Sequence, residues 1–250
     1  MFNHVELDFE IEKLKTVNIE GKRLYETPDG LKYPSITTVL GWFSAKGIMA
    51  WRKRVGEKEA NKISSQAARR GTSVHKMCED YINNVELNFS KMIPTDLELF
   101  KIMQPVLDNA IDNVYSQECS LYSDHLRLAG TVDCVAEYMG KLSIIDFKTS
   151  RQTMVGDKYG KLEKYFRQAS GYSVMFEERT GIPINNLVII AAVDGKSEPE
   201  VFTSKRDSHI DGLRGMIEEY NENHRTLLEL HNPDSYLRGR TTTVRANMWL

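Results

Sequence analysis

The spacing of apolar residues changes from a helical period in the first half of the chain to short apolar runs in the second half. In the first half it predicts helices at 36–43, across 45–70 (one helix or two), at 73–83 and at 96–115. Ser35, Thr72 and Thr95 are suited to cap three of these helices, and Pro105 is expected to interrupt the last one. Before them, a polar turn at 20–23 between two short apolar segments predicts a hairpin.

The second half is dominated by short runs rich in Val, Ile, Thr, Tyr and Phe. They predict strands at 117–123, 131–138, 141–147, 185–193 and 200–203, with helices at 165–180 and 207–230. This order of elements predicts an α/β protein in which helices flank a mixed central sheet. We expect one domain over residues 1–235, with a mainly helical part at 34–115, a core at 117–230 and a C-terminal tail at 236–250.

Three charged residues interrupt the apolar ribbon formed by the strands at 131–138 and 141–147. If Met139-Gly140 is a two-residue loop, Tyr138 faces Lys141, and the same register places Asp133 opposite Asp146, about 5 Å apart at Cβ. Two carboxylates so placed repel each other unless a cation lies between them. Lys148 projects from the same face as Asp146, because side chains alternate along a strand.

Two carboxylates, a divalent cation and an amine form a set that can hydrolyse a phosphodiester. Asp133 and Asp146 would offer oxygen ligands suited to Mg²⁺ or Mn²⁺, and the Phe147 carbonyl could add a third. Lys148 would orient or deprotonate the attacking water, or stabilise the pentacovalent phosphate. The alternative is a structural Asp–Lys pair beside a sheet edge, which leaves the repulsion between the two carboxylates unexplained.

Other side chains have both an ordinary and a functional interpretation. His75 is either a surface or core histidine or a metal ligand. Gln168 and Tyr172 lie one helical turn apart, and with Tyr165 they form either a packing stripe or a face that contacts phosphate and stacks on bases. Glu118 is interpreted as a charge at a strand edge rather than as a further ligand.

Composition narrows the classes of protein that the chain resembles. Apolar residues make up 41% and charged residues 27% of the 250 positions, as in ordinary globular proteins, and no apolar run approaches the ~20 residues of a membrane-spanning helix. The first residues lack an apolar signal segment, and the three cysteines lack metal-site spacing, so we expect a cytoplasmic protein with reduced thiols.

The net charge of −2 argues weakly against nucleic acid as a partner. The distribution of charge weakens this argument against nucleic acid, because residues 45–76 carry a local charge of +7 and residues 141–167 one of +4. Each basic segment is either a surface that binds phosphate or a solvated helix face.

Five short motifs occur in order between about residues 25 and 192. They are Tyr33-Pro34-Ser35-Ile36-Thr37-Thr38-Val39-Leu40, Arg70-Gly71-Thr72-Ser73-Val74-His75, Gly130-Thr131-Val132-Asp133, Ile145-Asp146-Phe147-Lys148-Thr149-Ser150 and Gln168-Ala169-Ser170-Gly171-Tyr172. The last four together resemble the RecB-like branch of the PD-(D/E)XK nuclease superfamily, including its Gly-x-x-x-His and Gln-x-x-x-Tyr motifs. The first is similar to the N-terminal signature of mitochondrial genome maintenance exonucleases and related phage-encoded nucleases.

The resemblance implies a restriction-endonuclease-like fold whose helical N-terminal segment arches over the active site and admits a single-strand end. Residues 45–70 take that place in the order of elements. Trp42 and Trp51 would stack on bases there, with core packing as an equal alternative for Trp42. The implied activity is that of a metal-dependent deoxyribonuclease, an exonuclease acting on single-stranded DNA in replication, recombination or repair.

The resemblance also implies roles for individual residues. Asp133, Asp146 and Lys148 would be catalytic. One or two Mg²⁺ or Mn²⁺ ions would be held by His75, Asp133, Asp146 and the Phe147 carbonyl. The residues that would contact DNA are Gln168, Tyr172, Arg69, Arg70, Thr149 and Ser150.

DNA is the main partner that the resemblance implies, with replication or recombination proteins as further ones and no membrane. Some relatives carry a four-cysteine iron–sulfur site, which three scattered cysteines do not predict here. Two other functions stay open on the same fold. One is a structure-selective endonuclease, and the other is a non-catalytic DNA-binding accessory protein of recombination.

Overall fold

The computed structural model describes residues 1–7, 11–19, 21–157 and 160–225, which form two sheets and five helices. In chain order the elements are β1 (Lys15–Ile19), β2 (Lys22–Glu26), β3 (Lys32–Pro34), α1 (Ile36–Val55), α2 (Glu57–Ile82), α3 (Pro94–Ala110), β4 (Ile111–Ser123), β5 (Leu128–Tyr138), β6 (Lys141–Ser150), α4 (Lys161–Thr180), β7 (Asn186–Val193), β8 (Glu200–Lys205) and α5 (Ile210–Asn223).

The larger sheet has the strand order β4-β5-β6-β7-β8. Strands β6 and β7 are parallel, because α4 connects them as a crossover, and every other neighbouring pair is antiparallel. Strand β7 is buried from Leu187 to Val193, as expected for an interior strand covered on both faces. The mixed sheet flanked by helices that the sequence predicts is confirmed.

Helices cover both faces of the sheet because each strand alternates its apolar side chains between them. Val135 and Ile144 pack in a core with residues of α1, α4 and α5. Their neighbours Cys134 and Ile145 pack in a second core with residues of α2 and α3. The ends of β5 and β6 are therefore held between two helical layers.

The loop between β5 and β6 has the conformation that the predicted register requires. Met139 has φ +49° and Gly140 has φ +72°, so both loop residues are left-handed, as in a two-residue type I′ turn. Tyr138 pairs with Lys141, and the ladder continues in register to the pair of Cys134 with Ile145. This prediction is confirmed, although methionine is an unfavourable residue for a positive φ.

The smaller sheet consists of β1, β2 and β3, with Gly21 at φ +74° in the turn of the predicted hairpin. It packs against β5 through Tyr25, Tyr33 and Ala129. Ser35 then caps α1 as predicted, and its Oγ accepts a hydrogen bond of 3.0 Å from the Thr38 N–H. The small sheet thus lies beside the strand that carries Asp133.

Two helix boundaries predicted from the sequence are wrong. The predicted break at Gly71, with Thr72 as a cap, does not occur, because α2 runs unbroken from Glu57 to Ile82. A glycine inside a helix costs only about 1 kcal/mol relative to alanine, and the buried residues of the last turns of α2 outweigh this cost. The break between helices lies at Gly56, where φ is +85°.

The helix predicted at 96–115 ends at Ala110, and it begins at Pro94 rather than after Thr95. Residues 111–115 instead belong to β4, where Ile111 and Val114 are buried against β5. Pro105 lies inside α3 without ending it.

The last predicted helix, at 207–230, is described from Ile210 to Asn223. The rest of that prediction beyond residue 225, and the tail predicted at 236–250, lie outside the described residues. Among the helices of the described part of the chain, none is long and apolar enough to cross a membrane.

Candidate active site

Asp133 stands one position beyond the last pair of the β5–β6 ladder. Its Oδ2 accepts a hydrogen bond of 2.9 Å from the backbone N–H of Phe147 on β6. The register of five consecutive pairs places Asp133 opposite Asp146, as the sequence predicts. The hairpin therefore fixes both the position of this carboxylate and its rotamer.

Glu118 on β4 lies on the other side of Asp133. Gln117 pairs with Cys134 and Cys119 pairs with Val132, so Glu118 is the position opposite Asp133. Its φ of +44° is left-handed, which costs a residue with a side chain on the order of 1–3 kcal/mol. Across three adjacent strands, β4, β5 and β6, three carboxylates thus stand in one row.

His75 on α2 reaches this row from the neighbouring helix. Its Nδ1 lies 3.4 Å from Asp133 Oδ2, and its ring packs edge to face on Phe147. One ligand atom each from His75, Glu118 and Asp133 lie within 4.8 Å of one another. A nitrogen and two carboxylate oxygens at this spacing fit the coordination of Mn²⁺ or Mg²⁺.

Glu118 lies on the edge strand β4, as the interpretation of a strand-edge charge expects, and the structure also brings it within reach of His75 and Asp133 as a candidate ligand. Burial of its carboxyl group and the negative charge of Asp133 raise the pKa of Glu118 to about 7. A bound cation would remove this unfavourable like-charge contact.

Asp146 and Lys148 form an ion pair next to the cluster. Asp146 is 1% exposed, and Lys148 Nζ lies 2.5 Å from its Oδ2. Burial raises the pKa of Asp146 to about 6 against the opposing effect of Lys148, and the charge of Asp133 adds to the rise. Burial alone would lower the pKa of Lys148, but the carboxylates of Asp146 and Asp133 raise it overall.

Apart from this ion pair, neither oxygen of Asp146 accepts a hydrogen bond within the described residues. A buried carboxylate without hydrogen bonds is costly, and a cation is one partner that would offset the cost. This carboxylate fits the predicted role of Asp146 as a metal ligand. The carbonyl of Phe147, the other ligand predicted on β6, belongs to the next residue of that strand.

A cleft of about 490 Å³ opens over the cluster. The residues of the predicted site that line it are His75, Asp133, Lys148, Gln168 and Tyr172.

Gln168 and Tyr172 lie together on α4, and Gln168 Nε2 donates a hydrogen bond of 3.2 Å to the Tyr172 hydroxyl. Tyr172 is only 2% exposed and packs on Gly130, where a Cβ atom would lie 2.8 Å from Tyr172 Cε1. Tyr172 is therefore a core residue whose hydroxyl end lines the cleft. Its position agrees both with a packing stripe on α4 and with a helix face that contacts phosphate. The same contact explains why the motif before Asp133 begins with glycine.

Arg69 and Arg70 lie apart from this cleft. They line a second one of about 1160 Å³, together with residues of α3 and the turn after β7. Arg69 donates a 2.8 Å hydrogen bond to the fully buried Asp96, and Arg70 donates bonds of 2.8 Å to both carboxylate oxygens of Asp194. The structure does not bring these two predicted DNA contacts to the metal cluster.

Thr149 and Ser150 follow Lys148 at the end of β6. Ser150 is 5% exposed, and its Oγ donates a 2.7 Å hydrogen bond to the Gln152 carbonyl and accepts one of 3.3 Å from Lys161 Nζ. Thr149 is half-buried and faces Gly71 of α2. Ser150 thus shapes the end of the strand rather than lining the cleft.

Trp42 of α1 packs edge to face against Tyr220 of α5, with the ring centroids 6.1 Å apart, which is the core-packing alternative. The structure adds Arg23 of β2 to the cleft, where its guanidinium lies 3.5 Å from Thr37 Oγ1 and above the ring of Tyr25. No signal in the sequence singles out Arg23, because the packing of the small sheet on β5 brings it there.

No protein-family model matches the chain. Mitochondrial genome maintenance exonuclease 1 of Mus musculus is 29% identical over 106 residues, 41% of this chain and 31% of that protein. The Homo sapiens protein of the same name is 29% identical over 132 residues, 48% of this chain and 37% of that protein. One chain of the ATP-dependent helicase/nuclease of Clostridium beijerinckii is 36% identical over 75 residues, 30% of this chain and 6% of that one.

The chain thus spans about a third of the length of the mitochondrial exonucleases that it matches. These matches confirm the resemblance drawn from the motifs. The chain is a distant relative of the mitochondrial genome maintenance exonucleases and of a bacterial helicase/nuclease.

Proposed function

We propose that this protein is a Mg²⁺- or Mn²⁺-dependent deoxyribonuclease that degrades single-stranded DNA from a free end. One observation carries the proposal: the ligand atoms of His75, Glu118 and Asp133 converge within 4.8 Å beside the buried pair of Asp146 and Lys148. Such a set has a place for a divalent cation and an amine at the same phosphate. The names of the distant relatives support the same class of reaction.

The side chains of the cleft that would hold the cation come from α2, β4, β5 and β6. His75, Glu118 and Asp133 hold the cation, and Asp146 with the Phe147 carbonyl offers further oxygen atoms to it. The bound cation supplies Lewis-acid stabilisation of the phosphate and lowers the pKa of a water molecule. Asp133 keeps its orientation because the Phe147 N–H holds one of its oxygens.

Lys148 acts on the phosphate itself. Its raised pKa favours the ammonium form near neutral pH, so it stabilises the added negative charge of the pentacovalent phosphate rather than removing a proton from water. Gln168 keeps one amide hydrogen and its carbonyl oxygen free of the bond to Tyr172, so it can also bind a phosphate oxygen. Together these groups align the phosphodiester for hydrolysis.

The names of the mitochondrial relatives support hydrolysis from a free end, because those proteins are exonucleases. Residues 45–69, where α1 ends and α2 begins, are mostly exposed and carry seven Lys and Arg residues against two Glu residues. We propose that this helical segment arches over the cleft and guides the strand, with residues 1–235 as one nuclease domain of restriction-endonuclease-like fold.

Product length on three substrates tests the proposal. Linear single-stranded, duplex and circular single-stranded DNA are incubated with the protein and Mg²⁺ or Mn²⁺, with EDTA as the control. We expect short products from the linear single strand, an intact circle and no cleavage in EDTA. Cutting of the circle would instead favour a structure-selective endonuclease, and binding without any cleavage would favour a non-catalytic accessory protein.

A further inference from the structure

Three lysines lie near Tyr165, one on β6 and two in the first turn of α4. Lys148 Nζ lies 4.9 Å from the centroid of the Tyr165 ring, and Lys161 Nζ lies 5.9 Å from it. Lys164 is the neighbour of Tyr165 in sequence, and its Nζ donates a hydrogen bond of 2.9 Å to Ser44 Oγ on α1. Two elements, β6 and α4, thus contribute three ammonium groups to this region.

Lys161 and Lys164 have no carboxylate partner within the described residues. Lys161 Nζ donates only to Ser150 Oγ, at 3.3 Å, and Lys164 Nζ only to Ser44 Oγ. In contrast, Arg69 and Arg70 in the second cleft are each paired with an aspartate. The positive charges of Lys161 and Lys164 are therefore less neutralised than those of the two arginines, although the charge of Asp157 acts on Lys161.

Burial and neighbouring positive charges make the ammonium forms of Lys161 and Lys164 less favourable. Burial and the charge of Lys148 lower the pKa of Lys164. Burial also lowers the pKa of Lys161, with contributions from the charges of Lys148 and Arg70 against that of Asp157. An anion bound between these groups would relieve both the desolvation and the repulsion.

Helix α4 connects this cluster to the catalytic groups. Lys161, Tyr165, Gln168 and Tyr172 follow one another at intervals of three or four residues, so they lie on one face of the helix. With a rise of about 1.5 Å per residue, Lys164 and Lys161 lie ~6 and ~10 Å along the axis from Gln168. This face of α4 therefore extends from Gln168, which we propose to contact the scissile phosphate, to Lys161 and Lys164.

We propose that Lys161 and Lys164 form a second phosphate site, which holds the phosphate next to the scissile one in a polynucleotide. The inference rests on the proposed nuclease function and adds a substrate requirement to it. The enzyme gains binding energy from a neighbouring phosphate, so an oligonucleotide is a much better substrate than a diester with a single phosphate.

A comparison of two substrates tests this site. The oligonucleotide is oligodeoxythymidylate, and the small diester is the p-nitrophenyl ester of thymidine 5′-phosphate, which has no neighbouring phosphate. The variant Lys161→Gln/Lys164→Gln should lower the ratio of kcat/KM for the oligonucleotide to kcat/KM for the small diester at least about tenfold. The small diester serves as the internal reference for an intact catalytic centre.

The salt dependence of binding provides a second readout, which a purely structural role of the lysines would not change. In EDTA, the slope of log K against log salt for oligodeoxythymidylate should fall in magnitude by about 0.7, because the site holds one phosphate and each phosphate contact with a single strand contributes about 0.7. The matched control is Lys141→Gln/Lys205→Gln, which removes two exposed lysines at the opposite end of the sheet. This control should keep the wild-type ratio and the wild-type slope.

An unchanged slope, or an equal loss of activity on both substrates, would overturn the second phosphate site. If the wild-type protein hydrolyses neither substrate, the nuclease proposal fails, whereas the salt slope still decides whether the two lysines bind phosphate. Thermal unfolding of each variant verifies that it is folded.

Discussion

The backbone N–H of Phe147 donates a hydrogen bond of 2.9 Å to the carboxylate of Asp133 across the β5–β6 hairpin. The same oxygen lies 3.4 Å from His75 Nδ1, so one atom of Asp133 connects the sheet to α2. The row of carboxylates is therefore built into the hydrogen bonding of the sheet rather than placed on a loop, which favours a fixed geometry.

This contact makes Asp133→Asn a clean test of cation binding. The asparagine oxygen can still accept the bond from Phe147, so we expect the fold to be retained while one charged ligand is lost. Mn²⁺ at 100 times its Kd should stabilise the wild-type protein by about 2.7 kcal/mol, and most of this gain should disappear in the variant. Thermal unfolding with and without Mn²⁺ measures it.

The control for that experiment is Asp112→Asn, which makes the same change at an exposed position of β4. It should keep the full stabilisation by Mn²⁺. Equal stabilisation of Asp133→Asn and the wild-type protein would show that the cation binds elsewhere.

Glu118 should couple cation binding to pH. Its pKa is raised to about 7 in the ion-free site, and a cation binds only the deprotonated carboxylate. The affinity for Mn²⁺ should therefore fall as the pH falls through 7, with the uptake of one proton at this group. Calorimetric titrations between pH 6 and 8 measure this dependence.

Glu118→Gln should bind Mn²⁺ more weakly than the wild-type protein and with a flatter pH dependence. Asp112→Asn, at an exposed position of the same strand, is again the control. We expect it to keep the wild-type pH dependence. A Glu118→Gln variant with the wild-type profile would remove Glu118 from the ligands.

Gly130 should tolerate no side chain. A Cβ atom there would lie 2.8 Å from Cε1 and 3.2 Å from the hydroxyl of Tyr172. Because Tyr172 is buried, Gly130→Ala should lower the free energy of unfolding by about 1–3 kcal/mol. Urea denaturation measures the change. Gly41→Ala, in a helix with open space around the site, should instead be neutral or stabilising by up to about 1 kcal/mol.

Arg69 should contribute to stability more than to DNA binding. Its guanidinium is the ion-pair partner of the fully buried Asp96, and removing one partner of such a pair leaves a buried charge. Because the Arg69 side chain is itself half-exposed, we expect Arg69→Leu to lower the free energy of unfolding by about 1–3 kcal/mol. The double variant Arg69→Leu/Asp96→Asn should recover part of this loss in urea denaturation.

Loss of DNA binding without loss of stability in Arg69→Leu would support the DNA contact that the motif implies. A variant that unfolds like the wild-type protein but binds single-stranded DNA more weakly would place Arg69 on the DNA.

The site was predictable where it depends on local geometry. A two-residue turn sets the register of β5 and β6, so the positions of Asp133 and Asp146 follow from the chain between them. Lys148, two residues beyond Asp146, follows from the alternation of a strand. A short turn between two strands therefore lets the sequence alone predict which residues of the two strands face each other.

Glu118 could not be found in this way, because β4 and β5 are joined by the four residues 124–127 and not by a two-residue turn whose sequence would set the register. The apolar pattern of 111–115 fits both the end of a helix and the start of a strand, and pairing with β5 decides between them.

The order of helices in the N-terminal half was predictable, but not the ends of each helix. Gly56 and Gly71 both look like helix breaks in the sequence. Only Gly56 adopts the positive φ that ends α1, whereas Gly71 stays helical beside Thr149. Which glycine breaks a helix depends on the packing that surrounds it.

Lys148→Ala gives the most direct test of the nuclease proposal. Release of nucleotides from linear single-stranded DNA is measured in Mn²⁺ for the wild-type protein, for Lys148→Ala and for Lys141→Ala, which removes a lysine at the other end of the same strand. We expect wild-type activity from Lys141→Ala and a loss of at least about 100-fold from Lys148→Ala, because that variant loses the ammonium at the phosphate. Lys148→Ala cleaving DNA at the wild-type rate while remaining folded would contradict the proposal.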